Sequence, residues 1–409
     1  VKSLETLVTN WRGAAGRIEH DGITPSLSYK WFTGGVWSWD TWKQAVGTAR
    51  FEPSLAQEQI RSMFDHQIRA DSAERPQDAG MIPDAIFYND IKQGGGNWNE
   101  RNSKPPLAAW AVWEVFAGSG DIRFLRELYP KLAAYQAWWY RNRDHDGNGL
   151  AEYGATVDPL NATPEDQRLA AAWESGMDNA PRFDKALGTA VVPNKGADGR
   201  VVGYSVNQES VDLNAYLAAD QGYLAKIAAV LGKPAEAGRW AGKSRATHAA
   251  VRENMYDAGS GWFYDKALGS KELLTARGRG IEGAIPLWSG SASRSQADAV
   301  RRKLNDPAEF ATKVPFPTVS KSSPYFQSTK YWRGPVWLDQ AYFALGGLRR
   351  YGYGREADTR TGQLVAGAAG LRGNGPIMEN YDPLTGNPLN SPNFSWSAAL
   401  LLPMLSSGR

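Results

Sequence analysis

Residues 211–255 read VDLNAYLAADQGYLAKIAAVLGKPAEAGRWAGKSRATHAAVRENM, and the fold follows from this stretch. Val211–Leu231 and Ala235–Met255 each carry helical periodicity, and Gly232-Lys233-Pro234 between them is a helix stop followed by a restart. The segment is therefore an antiparallel helix pair with a short turn. The same layout occurs in Pro105–Gly118 with Asp121–Arg143, and again in Pro335–Tyr351 with Arg355–Gly367. In the first of these, Phe124, Leu125, Leu128, Leu132, Tyr135, Trp138 and Trp139 form one apolar face. Pro53–Ile68 reads as a further helix, with Pro53 in the first turn where its missing N–H costs nothing. Asp40–Arg50, Ser293–Leu304 and Asn393–Leu402 add single helices, roughly ten to twelve in all.

No literal repeat of fixed period runs through the chain, which argues against a regular solenoid. The helix pairs are instead separated by long Gly/Pro/Trp-rich connections: Thr33–Asp40, Gly94–Pro106, Tyr153–Asp178, Thr312–Trp332 and Leu371–Ser395. Ordered loops of this length are usually functional. With no break in composition, the expectation is an all-α fold, helical hairpins closed into a ring as an (α/α)6 toroid. Residues 1–30 read as an N-terminal linker-like segment and 31–409 as the barrel.

The chain of 409 residues carries 46 Lys+Arg against 43 Asp+Glu, a net charge of +3. That leaves no basic footprint for nucleic acid. No apolar run approaches the roughly 20 residues of a membrane helix. Cysteine is absent and the four histidines are scattered, so thiolate chemistry, disulfides, a His-based zinc site and a Ser-His-Asp triad have nothing to build on. The chain opens on Val1 without a charged-then-apolar leader, as expected of a processed or truncated product. The compartment stays open, a periplasmic or secreted one being favoured. The unusual number is 17 tryptophans, and their placement carries the functional reading.

Trp31, Trp37, Trp39 and Trp42 cluster around Gly34-Gly35 before a helix, with Asp40 as a plausible N-cap. Aromatic packing at a helix entry explains this, and so does a sugar platform. Pyranose C–H faces stack on indoles while a carboxylate accepts hydroxyl donors. Gly94–Pro106 lacks dinucleotide-loop spacing, and its polar run, with Trp98, Asn99 and Lys104, is either a solvated loop or a source of directional hydrogen bonds. Trp173-Glu174-Ser175-Gly176-Met177-Asp178 and Pro376-Ile377-Met378-Glu379 each set a carboxylate in a Gly/Pro/aromatic connection. Paired carboxylates from distant loops are what glycoside hydrolysis requires, although either acid alone could be a turn residue. Tyr331, Trp332 and Trp337, with Trp396 near the C-terminus, again put aromatics at helix entrances. Separately, Asp144, Asp146, Asn148, the Leu150 carbonyl and Glu152 follow calcium-loop spacing, with Gly149 at the sharp turn. Ala155 stands where a full EF-hand carries glutamate, so another ligand must come from elsewhere, unless the loop is an ordinary Asp/Asn/Gly turn.

Taken in order, Trp37–Ala45, Gly95–Asn102, Trp173–Gly176, Gln208–Asp212, Tyr331–Gly334 and Glu379–Tyr381 resemble the catalytic domain of glycoside hydrolase family 63, particularly bacterial α-glucosidases of the YgjK type. The resemblance runs from about Trp31 to Trp396 and implies an (α/α)6 barrel that hydrolyses an α-glucosidic bond with inversion. It makes 31–409 the catalytic domain, Asp178 the general acid, Glu379 the general base and Asp40 a carboxylate of the innermost sugar subsite. Trp37, Trp39, Trp98, Asn99, Lys104, Trp173, Tyr331, Trp332, Trp337 and Trp396 then line the substrate pocket. It also implies a structural Ca2+ on Asp144, Asp146, Asn148, Leu150 and Glu152, with Glu209 as the outlying ligand. Relatives tend to carry Arg-Asp-Asp where this chain has Met177-Asp178-Asn179, and are longer across 179–199. They often have an N-terminal β-sandwich domain, which none of the residues before Trp31 supplies here.

Such a mechanism needs Asp178 protonated near neutral pH, by burial beside Trp173 and other rings, and Glu379 ionised. Inversion needs the two carboxyls about 6.5–9.5 Å apart. The partner is then a small oligosaccharide or glycoside. A trehalase-like or glucosyl/mannosyl-glycerate hydrolase would share these motifs, and a calcium-stabilised glycan-binding module without catalysis is the alternative of a different class.

Overall fold

The computed structural model describes residues 1–29, 32–88 and 100–406. Thirteen α-helices dominate it: α1 Lys2–Thr9, α2 Ser38–Thr48, α3 Pro53–Phe64, α4 Ala108–Ser119, α5 Ile122–Asn142, α6 Pro164–Glu174, α7 Val211–Val230, α8 Pro234–Asn254, α9 Ile285–Ser289, α10 Arg294–Leu304, α11 Leu338–Arg350, α12 Gly354–Gly367 and α13 Ser395–Ser406. Their starts are chemically specified. The Asp121 carboxylate accepts from the Arg123 N–H, Ser293 with Gln296 forms a capping box, and Pro53 and Pro234 sit in first turns. None of these helices is long and apolar enough to cross a membrane.

Six helices form a closed circuit of contacts, α2 to α4 to α7 to α9 to α11 to α13 and back to α2. Outside it, α3 packs on α2, α5 on α4, α8 on α7, α12 on α11 and α1 on α13. Burial follows this division. Every residue of α2 is buried, whereas α8 buries only Ser244, Thr247 and Val251. The turns leaving α2, α4, α7 and α11 toward their outer partners are short, and the long connections lead into the N-terminal ends of the circuit helices. Those ends are where side chains from many connections meet.

The all-α expectation is corrected in its details. Short antiparallel strands decorate the connections, the largest set being Val191–Lys195 and Val201–Val206 with Gly154–Ala155. Gly199 at φ +78° turns this hairpin. Helix α6 lies within 153–178, which reads as a loop by periodicity; Thr163 and Asp166 cap it reciprocally and Pro164 opens it. Helix α13 continues through Pro403 to Ser406. Asp40 is not an N-cap. The Ser38 N–H donates to the Asp84 carbonyl (2.9 Å), the extended Trp37 takes the cap position, and Asp40 falls inside the first turn.

Candidate active site

A cavity of about 380 Å³ opens at the N-terminal ends of α2 and α13. Asp40, Lys104, Asp178 and Glu379 line it together with Trp37, Trp39, Tyr331, Trp332 and Trp396, so nine of the residues singled out in the sequence meet in one place. Phe32, Phe394, Pro25 and Gly176 complete the wall. Trp98 and Asn99 lie outside the described residues.

Asp178 follows the C-terminal end of α6, which is fixed by a fully buried ion pair. Glu174 accepts from Arg143 at 2.7 and 2.9 Å and from the Ser103 and Gly154 N–H groups. Gly176 then turns the chain at φ +73°, where an added Cβ would stand 2.5 Å from the Trp39 ring. The Asn179 side-chain oxygen accepts from the Trp332 N–H (2.8 Å), tying the Asp178 turn to the Tyr331 connection. Asp178 is half-buried because its carboxyl faces the cavity. Burial pushes its pKa up to about 6, against the pull of the Lys104 ammonium and with a push from Asp84.

Glu379 comes from a distant segment of the chain, on the strand Met378–Tyr381. It accepts from the Tyr331 hydroxyl (2.8 Å) and from the Ser391 N–H (3.1 Å). Tyr331 adopts φ +45°, a strained region for a bulky residue. It is held there by the Trp337 indole N–H on its carbonyl (3.0 Å) and by ring contact with Trp337 at 4.9 Å. Despite these donors, burial raises Glu379 to about 7. The expectation that Glu379 stays ionised near neutrality is therefore corrected: both acids titrate near neutrality. The Asp178 charge adds a small further push on Glu379.

Asp40 is buried, and that burial drives its pKa to about 8 against the attraction of Lys43 and Lys104. The indoles are stacked in depth. Trp39 meets Trp396 edge-on at 5.4 Å, and Trp332 lies flat on Trp337 at 3.9 Å. Trp337 is thus a backing ring, fully buried and off the cavity wall. Trp173 is also off the wall; its carbonyl accepts from Lys104 and its ring carries the Arg101 guanidinium at 5.0 Å. Burial is the cause expected for the raised Asp178, and the rings that share its cavity are Trp37, Trp39, Trp332 and Trp396 and not Trp173. Trp42, on another face of α2, packs on Phe64.

The acidic loop lies elsewhere, after α5. Carboxylate oxygens of Asp144, Asp146 and Glu152 converge within 4.8 Å of one another. Asp144 Oδ1, Glu152 Oε1 and Glu209 Oε2 are buried without a hydrogen-bond partner, and burial raises all three acids. Asn148 donates to Glu209 (2.7 Å) and accepts from the Leu150 N–H (2.8 Å), and Lys266 also donates to Glu209 (2.7 Å). An all-oxygen donor set with three orphaned buried carboxylate oxygens suits a hard cation.

The family profile described as the mannosylglycerate hydrolase MGH1-like glycoside hydrolase domain matches residues 34–397. The chain belongs to this family. It is 28% identical to a mannosylglycerate hydrolase of Rubrobacter radiotolerans over 91% of each chain. It is 26% identical to a mannosylglycerate hydrolase of Thermus thermophilus, over 98% of this chain and 99% of the relative. A glucosylglycerate hydrolase of Mycolicibacterium hassiacum is 24% identical over 90% of this chain and 91% of its own. In fold it matches a family 63 mannosylglycerate hydrolase of Thermus thermophilus, solved with Tris and D-glycerate, at TM-score 0.75 and 24% identity over 98% of both chains. The resemblance to family 63 thus holds at the level of the family, and the α-glucosidase specificity first expected is not that of these relatives.

Within this MGH1-like domain, sequence reading passed over Lys43, Asp84 and Asp339. Lys43 and Asp339 pair at 2.7 Å although 296 residues separate them, and each looks like an ordinary helix charge until α2 and α11 are placed on either side of α13. Phe32 and Phe394 gave no signal beyond being aromatic neighbours of Trp37 and Trp396.

Proposed function

We propose that the chain is an inverting hydrolase of an α-linked hexosyl glycerate, with Asp178 as general acid and Glu379 as general base. The observation that carries this reading is the confluence of the two acids, from segments about 200 residues apart, on one aromatic pocket with Asp40 and Lys104. The glycerate aglycone is favoured over a plain α-glucoside because the relatives matched over nine-tenths of their length are named as mannosylglycerate and glucosylglycerate hydrolases. Asp178 gives its proton to the glycosidic oxygen as the bond to the anomeric carbon breaks. Glu379 takes a proton from a water that attacks that carbon from the opposite face, so glycerate and a β-hexose leave. Trp37, Trp39, Trp332 and Trp396 stack on the hexose, while Asp40 and Lys104 take its hydroxyls. The reactive form carries one proton over the acid pair, so activity should peak between about pH 6 and 7. Below that range Glu379 holds no charge to accept a proton; above it Asp178 has none to give.

The circuit of six helices with its outer partners is, in this reading, an (α/α)6 toroid that takes α1 from the segment before residue 31. Asp144, Asp146, Asn148, Leu150, Glu152 and Glu209 would hold a structural Ca2+, which supplies the positive charge that the orphaned carboxylate oxygens lack. A small α-glucosidase or a trehalase-like enzyme remains the second reading, since no motif above fixes the aglycone. A substrate panel of mannosylglycerate, glucosylglycerate, trehalose and short α-glucosides tests the proposal. Turnover of a hexosyl glycerate at least tenfold above the others supports it, and preference for a disaccharide rejects it.

A further inference from the structure

Behind two of the indoles that line the cavity, a lysine is buried where few charges would be expected. Lys43 is one turn after Asp40 on α2 and is fully buried. Its ammonium lies 3.1 Å from the centre of the Trp39 ring and 3.6 Å from that of Trp396. It donates to Asp339 at the start of α11 (2.7 Å), which is also fully buried and accepts from the Gln340 amide (3.1 Å). Beside it, Gln44 donates to Ser395 at the start of α13 (2.6 Å). Three neighbouring circuit helices are thus tied at their pocket ends by one buried polar cluster.

Burying a charged pair is expensive, and an apolar pair of the same volume would hold α2 to α11 as well or better. Helix cohesion alone therefore does not account for the charge. What the ammonium adds is directional: it lies against two indoles at once, and both indoles line the cavity. Trp39 and Trp396 stand at 87° to one another, an edge-on arrangement that a cation between them fixes more tightly than dispersion does. The same charge is the largest of those opposing the protonation of Asp40.

We propose that Lys43, paired with Asp339, is a positioning residue for the hexose: it sets the angle between the Trp39 and Trp396 indoles that line the cavity. The inference rests on the reading that this cavity holds the sugar ring, and it assigns a role beyond the residues that touch substrate. Losing the indole alignment should weaken sugar recognition about 10-fold.

The test compares wild type with Lys43→Arg, Lys43→Met and the double variant Lys43→Met/Asp339→Asn. The single Met variant strands a buried Asp339 carboxylate and is expected to lose stability; the double variant removes both charges and keeps an acceptor for Gln340. The proposal expects the double variant to melt near wild type, with kcat/KM lowered 10-fold or more and KM raised, and Lys43→Arg to recover part of that loss. A double variant that melts near wild type with unchanged kcat/KM would show a purely structural pair and overturn the proposal. Should the double variant melt well below wild type, Lys43→Arg decides: partial recovery relative to Lys43→Met supports the proposal, and none overturns it. If wild type turns over no glycoside of the panel, the functional reading fails by itself. The variants are then compared by calorimetric binding of D-mannose and D-glucose, where equal affinity across all of them overturns the positioning role.

Discussion

Replacing Tyr331 by Phe removes one oxygen and leaves the ring on Trp337, yet it should reshape the pH profile. In wild type the Tyr331 hydroxyl donates to Glu379 at 2.8 Å in a site where Glu379 is almost wholly buried. A hydrogen bond to a buried charged group contributes about 1.5–3 kcal/mol, so its loss raises the Glu379 pKa by about 1–2 units. With Asp178 near 6 and Glu379 near 7, the singly protonated pair holds its proton on Asp178 about one time in ten. That is the productive arrangement. Raising Glu379 by 1–2 units makes it about one in a hundred to one in a thousand, a fall in maximal kcat/KM of about 10- to 100-fold. The sign on pH is fixed by the same pair. The unproductive proton leaves Glu379 later, so the alkaline limb moves up by about 1–2 units and the acid limb, set mainly by Asp178, stays. Steady-state kinetics from pH 5 to 9 on the substrate found for wild type read both effects. A Tyr331→Phe enzyme with the wild-type limbs and maximum would show that this hydroxyl does not tune the base, and would refute the assignment of Glu379 as a group whose charge matters.

Gly176→Ala should cost stability and activity together, because its Cβ would meet the Trp39 ring at 2.5 Å and the backbone there sits at φ +73°. A loss of about 1–3 kcal/mol in denaturant melts is expected, and an unchanged midpoint would mean the turn relaxes. Glu174→Gln should destabilise by about 3–5 kcal/mol, since it leaves the buried Arg143 guanidinium without a countercharge. Chelation followed by added Ca2+ should raise the melting temperature again, by about 2.7 kcal/mol of stability at a hundredfold excess over Kd; Asp144→Asn should abolish that response. Identical melts with chelator and with Ca2+ would reject the cation site.

Much of the fold was legible because its signals are local. The Gly232-Lys233-Pro234 break, the Asp121 cap and the Ser293–Gln296 capping box each act within a few residues, and the helices begin and end about where these place them. Helix α9 is five residues long, too short for any periodicity, yet it closes the circuit between α7 and α11. Helix α6 was hidden for another reason: its polar, capped start sits inside a connection rich in loop-forming residues. The site was legible to the extent that carboxylates and indoles at helix entrances are conspicuous. Which indole faces the cavity is decided by packing, so Trp332 and its backing ring Trp337 look alike in sequence. The Asp40–Lys43–Asp339 cluster and the height of the Glu379 pKa are properties of burial between distant segments, and no spacing encodes them.

The proposed inverting hydrolysis of a hexosyl glycerate by Asp178 and Glu379 fixes the anomer that is released first. Proton NMR of wild type with α-mannosylglycerate, recorded in the first minutes before mutarotation, tests it most directly. The β-anomer of mannose should appear first, and Glu379→Gln should release none. First appearance of the α-anomer, or full release by Glu379→Gln, would contradict it.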